Sequence, residues 1–161
     1  MDVYIEISKG SNIKYEYCKE KNQIIVDRVL HNTNIFPYNY GFIPNTLSPD
    51  GDPLDVIVLC DYSFIPGCMI KCKVIGGIET NDEKGQDDKI LCVPEDNIDP
   101  KSKIINNLDD INKNDLDNII YFLNHYKDNE NKFVNIGEIY NKEKAEEVIK
   151  QFSDQLFYIS S

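Results

Sequence analysis

Apolar and polar positions alternate or cluster in short runs through the first half of the chain, and then the period changes. The runs Val3–Ile7, Ile13–Tyr17, Gln23–Val29, Val56–Leu59, Met69–Ile78 and Ile90–Val93 are rich in β-branched residues and punctuated by Gly, Pro and Asn. They predict strands, because side chains on an extended chain point to alternate faces and turn residues end it. No helical period appears before residue 110. After it, Leu116, Ile119, Ile120 and Leu123 recur with the spacing of an amphipathic helix. Asp115 and Asp117 read as its acidic first turn, favoured by the helix dipole. A second helix is expected from about Asn141, a residue suited to an N-cap, with Ala145, Val148, Ile149, Phe152 and Leu156 on one face. Strands in succession without helices between them argue against a parallel α/β sheet. They point to a mainly β, α+β chain: a small closed or nearly closed barrel with the two C-terminal helices packed on it.

At 161 residues, with 41% apolar residues spread along its length, the chain is expected to form one domain over 1–161. A formal charge of −11 argues against a nucleic-acid partner, which needs a basic face. No run approaches the roughly 18 uninterrupted apolar residues of a membrane span. The start, Met1-Asp2-Val3-Tyr4, lacks the charged-then-apolar form of a signal peptide. A soluble, cytoplasmic protein is expected. Cys18, Cys60, Cys68, Cys72 and Cys92 contain no C-x-x-C pair, and most lie among Val, Ile and Leu, where a thiol acts as a small apolar group. His31 and His125 form no ligand pair.

The candidate chemistry centres on Asp50-Gly51-Asp52-Pro53-Leu54-Asp55, just before an apolar run. Gly and Pro bend the chain so that the carboxylates can converge, and carboxylate oxygens suit hard divalent cations. Convergence without a cation is unfavourable, since like charges in one site repel and raise each other's pKa. An EF-hand does not fit: Leu54, Asp55 and Asp61 stand where that loop needs an oxygen ligand, Gly and Glu. A second acidic group, Asp82-Glu83 and Asp87-Asp88, flanks Gly85 between two strands; alone it is a solvated hairpin tip, but it can share a barrel rim with the first. Lys14, Arg28, Tyr40, Lys89, Tyr126 and Lys127 stand near strand or helix ends, each equally consistent with an ordinary surface or core role. If they converge, metal-holding carboxylates beside Lys and Arg bind a phosphate chain and polarise its bridging oxygen. No G-x-x-x-x-G-K-[ST] or G-x-G-x-x-G loop is present, which favours a small phosphate compound over a nucleoside triphosphate.

These motifs resemble the family I soluble inorganic pyrophosphatases of bacterial type. Asp50-Gly51-Asp52-Pro53-Leu54-Asp55-Val56 is similar to the family signature. Glu6 in Tyr4-Ile5-Glu6-Ile7, Lys14-Tyr15-Glu16, Asp27-Arg28, the segment from Pro37 to Pro44, Asp82-Glu83, Asp87 with Lys89, and His125-Tyr126-Lys127-Asp128 follow in the family's order and near its spacing. The resemblance covers nearly the whole chain. It implies a five-stranded, OB-like barrel and hydrolysis of pyrophosphate to two phosphates by a metal-activated water, without a covalent intermediate. By the same resemblance, Asp50, Asp55, Asp82 and Asp87 are metal ligands, and Asp52 is the general base. Glu6, Glu16 and Glu83 stand at the edge of the metal cluster, and Lys14, Arg28, Tyr40, Lys89, Tyr126 and Lys127 bind phosphate. Several Mg²⁺ per subunit are implied, with Mn²⁺ or Zn²⁺ as substitutes, and a homohexamer. Phe36 departs from the family's usual Tyr before the Pro, and the segment after Asp128 is one residue shorter than in some relatives, so Lys132 receives no role. The alternatives are a non-catalytic divalent-cation or phosphate-binding module and a hydrolase of nucleotides or longer polyphosphates.

Overall fold

Asp2–Ile7 forms strand β1, and its alternation buries Val3, Ile5 and Ile7 almost completely. The structure is a computed structural model that describes residues 1–31 and 33–160, with side chains up to 155. The other strands are β2 (Ile13–Cys18), β3 (Gln23–Val29), β4 (Asn39–Phe42), β5 (Asp55–Val58), β6 (Met69–Asp82), β7 (Gly85–Gln86), β8 (Lys89–Pro94) and β9 (Asn135–Asn141). Two α-helices follow the same chain order, α1 (Lys113–His125) before β9 and α2 (Lys142–Ser160) after it.

Five strands close on themselves. β1 pairs with β4, β4 with β5, β5 with β8 and β8 with β6, and the start of β6 returns to β1 through Asp2↔Lys71, Val3↔Ile70 and Tyr4↔Met69. This ring of strands with two helices agrees with the mainly β expectation. β2 and β3 form a separate antiparallel hairpin. β8 is buried at all six positions, which explains its unbroken apolar pattern.

The ring contains one parallel pair, β5 with β8, which the sequence reading did not anticipate. Its consequence is positional: Asp55 and Lys89 head the two strands side by side, so the residues before β5 and before β8 enter the ring together, while Asp82 and Glu83 stand at the end of β6. β4 and β9 were also not foreseen. β4 has four residues, including Asn39 and Gly41, which carry little strand preference. Gly41 is required by β1, because a Cβ there would lie 1.8 Å from the Tyr4 carbonyl oxygen.

Opposite faces of the central strands supply two apolar layers. Val56, Val58, Ile90 and Cys92 pack with Ala145 and Phe152 of α2, while Ile57 and Leu91 join Phe36 and the α1 residues Ile119, Phe122 and Leu123. Asn141 caps α2 as expected, its Oδ1 accepting from Lys144 N at 3.0 Å. For α1 the cap is Asn112, and only Asp115 lies in the first turn; Asp117 falls one turn later because the helix starts at Lys113. The expected α2 stripe holds through Phe152, and the side chain of Leu156 lies outside the described residues. Cys72 and Cys92 are buried, but Cys18, Cys60 and Cys68 are only half-buried, so the thiols are less uniformly interior than their apolar neighbours imply.

Candidate active site

Parallel pairing places Asp55 of β5 directly beside Lys89 of β8. Lys89 Nζ lies 2.6 Å from Asp55 Oδ2 and 2.5 Å from Asp87 Oδ2, with the lysine side chain only 2% exposed. Asp87 and Lys89 share a face because alternate residues of an extended chain do so. Tyr40 on β4, one diagonal step away, donates from Oη to Asp55 Oδ2 at 2.8 Å, and its ring centroid is 5.7 Å from Lys89 Nζ. Burial by itself would lower the Lys89 pKa, but Asp55, Tyr40 and Asp87 hold it well above the usual lysine value. It is a permanent cation.

Asp50 and Asp52 occupy the turn before β5. Gly51 takes φ +91°, and Asp52 N donates to Asp50 Oδ1 at 3.0 Å, which leaves the Asp52 carboxylate exposed beside a half-buried Asp50. Burial raises the Asp50 pKa to about 6, against the Asp52 amide that lowers it, with the charges of Asp87 and Asp52 adding to the rise. Asp87 is likewise raised to about 6 by burial and by Asp55. These carboxylates therefore sense one another, as groups sharing one site do.

The β6–β7 turn supplies the next group. Asp82 accepts from Lys84 N at 2.8 Å and from Lys127 Nζ at 3.2 Å. Burial opposes its ionisation, yet these donors and the Lys89 charge hold its pKa below the usual carboxylate value. Lys127 Nζ lies 3.9 Å from Glu83, and Lys132 Nζ 3.4 Å from the same carboxylate. Tyr126 stacks on Phe122 with centroids 5.1 Å apart and raises the pKa of both Tyr40 and Lys89.

The β2–β3 hairpin completes the ring of charge. Lys14 and Arg28 are cross-strand partners that both reach Asp27 Oδ2, at 2.9 and 3.2 Å. Arg28 Nη2 also lies 2.9 Å from Glu130 Oε2, without the alignment of a hydrogen bond, so both buried atoms lack a hydrogen-bond partner. Glu6 accepts from Tyr17 N at 2.8 Å. Burial pushes its pKa up to about 8, and Asp55 and Glu16 add to the shift. Glu16 itself is exposed.

Fifteen residues distant in sequence thus become one electrostatic neighbourhood: the fourteen expected from sequence, and Lys132. Sequence reasoning passed over Lys132 and Glu130, whose partners are set only by the return of the chain after α1. A groove of about 590 Å³ lined by Lys9, Tyr38, Asp61, Lys101, Ile105 and Asp115 contains none of these groups. Convergent polar chemistry, rather than concavity, locates the candidate site.

The donor set suits hard divalent ions, being carboxylate oxygen throughout. Among the described residues no three such side chains are arranged to hold a metal ion, and the Lys89 ammonium instead bridges Asp55 and Asp87. That bridging cation, together with the raised pKa values of Asp50 and Asp87, marks a position where positive charge is stabilised.

The family model described as inorganic pyrophosphatase matches residues 3–156. This chain belongs to the inorganic pyrophosphatase family. It is 47% identical over 150 residues to an inorganic pyrophosphatase of Helicobacter pylori, covering 92% of this chain and 87% of that protein. A Saccharolobus solfataricus inorganic pyrophosphatase is 47% identical over 152 residues, covering 94% and 88%. Among solved structures, a Helicobacter pylori inorganic pyrophosphatase superposes with a TM-score of 0.94 at 44% identity, covering 97% of this chain and 92% of that one. The family fold is the OB-like one, in agreement with the ring of five strands seen here.

Proposed function

We propose that this chain is an inorganic diphosphatase, hydrolysing pyrophosphate to two phosphates with the help of divalent cations, Mg²⁺ being the physiological ion and Mn²⁺ or Zn²⁺ substitutes. The observation that carries the reading is the Asp55–Lys89–Asp87 contact at the head of paired parallel strands, in a chain of this family. A buried lysine between two carboxylates keeps a fixed positive charge beside the place where cations and phosphate oxygens would gather.

In this reading Asp50, Asp55, Asp82 and Asp87 hold the ions, with Glu6, Glu16 and Glu83 at the edge of the cluster. Bound divalent ions supply electrophilic charge to phosphoryl oxygens and acidify water. Asp52 is the general base: its exposed carboxylate stands at the mouth of the turn, tied by its amide to Asp50, and takes the proton of the attacking water. Lys14, Arg28, Lys89 and Lys127 neutralise the phosphate oxygens, and the hydroxyls of Tyr40 and Tyr126 orient them. Arg28 Nη2, ion-paired with Glu130 but without a hydrogen-bond partner, keeps a donor for phosphate oxygen, which supports its place in that set. Phosphoryl transfer to water then needs positioning and charge stabilisation rather than a covalent enzyme intermediate.

Residues 1–161 are read as one domain. Among the described residues no helix is long and apolar enough to cross a membrane, and all five cysteines are free, which suits a reducing cytoplasm. Self-association into a hexamer, by resemblance, fits exposed apolar residues such as Val26, Ile65 and Phe133.

The test is phosphate release from pyrophosphate with Mg²⁺, with and without excess chelator, beside Asp52→Asn. Metal-dependent release that the substitution suppresses is expected. Mg²⁺ binding by a folded protein without release would instead identify a non-catalytic cation or phosphate binder. Faster turnover of nucleotides or longer polyphosphates in the same assay would move the substrate assignment.

A further inference from the structure

Asp88, between the two site residues Asp87 and Lys89, points away from them. Its side chain enters the layer toward α2, where Asp88 is 2% exposed. There Oδ2 accepts from the hydroxyl of Tyr140 at 2.7 Å, and Oδ1 from Gln86 Nε2 at 3.1 Å. Tyr140, on β9, is itself 3% exposed. The partners are 52 residues apart, so the contact ties the rim of the ring to the β9–α2 junction.

Getting the tyrosine there requires a gap in the intervening strand. Tyr140 is the register partner of Gly77 on β6, and a Cβ on Gly77 would lie 2.3 Å from Tyr140 Cε2 and 2.7 Å from its Oη. No other residue type leaves room for the ring to cross β6 to Asp88. The junction is firm on its far side too. Lys144 Nζ sits 5.2 Å from the Tyr140 ring centroid and pairs with Glu138, while Asn141 caps α2.

The backbone around Asp87 is held from the other direction by Thr80. Asp87 N donates to the Thr80 carbonyl at 2.9 Å, and the buried Thr80 hydroxyl donates to the Asp87 carbonyl. Thr80 thus fixes the position of this segment, and Tyr140 fixes its rotation. With Asp88 anchored against Tyr140, alternation of the extended chain turns Asp87 and Lys89 together to the opposite face.

We propose that Tyr140 and Asp88, with Gly77 making room for them, form a buried clamp that positions the Asp87 carboxylate and the Lys89 ammonium for metal and phosphate binding. Tyr140 and Asp88 are positioning residues that touch neither substrate nor ion. The proposal rests on the diphosphatase reading only for what the positioned groups bind; the positioning is a property of the fold.

The experiment pairs two readouts on Tyr140→Phe, Asp88→Ala and Asp88→Asn. One is amide hydrogen exchange at residues 86–91, and the other is Mg²⁺ binding by calorimetry without substrate, accompanied by kcat and KM. Tyr140→Phe and Asp88→Ala are expected to speed exchange in this segment, to weaken Mg²⁺ binding about tenfold and to lower kcat more than they raise KM. Asp88→Asn keeps an oxygen that can accept from Tyr140, and is expected to restore most of both. Exchange and Mg²⁺ affinity unchanged in Tyr140→Phe, with only a lower melting temperature, would overturn the clamp. Should Tyr140→Phe fail to fold, the contrast between Asp88→Ala and Asp88→Asn decides: equal behaviour of the two overturns it. A parent protein that binds no Mg²⁺ would sink the diphosphatase reading, while the exchange data would still decide the clamp.

Discussion

Lys89 Nζ stands 2.6 Å from Asp55 Oδ2, and the two residues are direct register partners on adjacent parallel strands. The pair is buried on the lysine side, so removing the ammonium leaves Asp55 and Asp87 as uncompensated neighbouring charges. Lys89→Gln is therefore expected to cost about 3 kcal/mol or more of stability in chelator. Mg²⁺ should recover part of that loss, because an ion binding only the native carboxylates stabilises by mass action. Urea unfolding with and without Mg²⁺ checks this. An identical loss in both conditions would show that Lys89 and the ion do not share the same carboxylates.

Asp52 and Asp55 lie three residues apart but are built differently. Asp55 is held by Tyr40 and Lys89, whereas Asp52 is exposed and contributes its amide to the turn. Asp55→Asn is expected chiefly to weaken metal binding. Asp52→Asn should lower kcat about a hundredfold or more with little change in Mg²⁺ affinity. Calorimetry beside steady-state kinetics separates the two, and equal losses of metal binding would remove the distinction.

Glu6 gives stability a pH dependence of definite sign. Burial raises its native pKa to about 8, against 4.5 in a free side chain. Between those values the native state holds a proton that the unfolded chain has lost, so this group makes the fold less stable as pH rises. Glu6→Gln, which can still accept from Tyr17 N, should gain on the parent by on the order of 1 kcal/mol or more between about pH 5 and about pH 8, in chelator. A stability difference flat across that range would mean that Glu6 is ionised throughout.

Phe36 sits where a hydroxyl would enter an aromatic layer. It is 2% exposed, with ring centroids 5.6 Å from Tyr40, 4.7 Å from Phe122 and 6.4 Å from Tyr126. Phe36→Tyr should keep activity and shift Mg²⁺ or pyrophosphate affinity modestly, since two neighbours line the site. A buried hydroxyl also costs about 1–3 kcal/mol unless it finds a partner. Kinetics indistinguishable from the parent would show that the position acts through packing alone.

Much of this was legible along the chain because it is local. Alternating or unbroken apolar runs mark β1, β2, β3, β5, β6 and β8, and the spacing of Leu116, Ile119 and Leu123 marks α1, since each pattern reflects which sides of one element meet the core. The carboxylates of residues 50–55 advertise cation chemistry because they are close in the chain, and the turn itself ties Asp50 to Asp52; Asp55 takes its place through Tyr40 and Lys89. Asn141 could be read as a cap because its partner is only three residues away.

What the chain did not reveal depends on elements meeting across long separations. β4 is only four residues long and half Asn and Gly, and it is held as a strand by β1 and β5 pairing with it on either side, where only a glycine fits at position 41 against Tyr4. The parallel alignment of β5 with β8 sets Asp55 against Lys89, and no periodicity encodes which residues of two distant strands become register partners. Asp88 looked like one more acid in a solvated turn until Tyr140 crossed over Gly77 to meet it in the interior. The sequence by itself therefore determined most of the elements, though not β4 or β9, together with the family and the kind of chemistry, because these follow from side-chain type and near spacing. Only the tertiary structure decided which charges are buried and paired, because burial and distance are properties of the closed ring and no single segment possesses them.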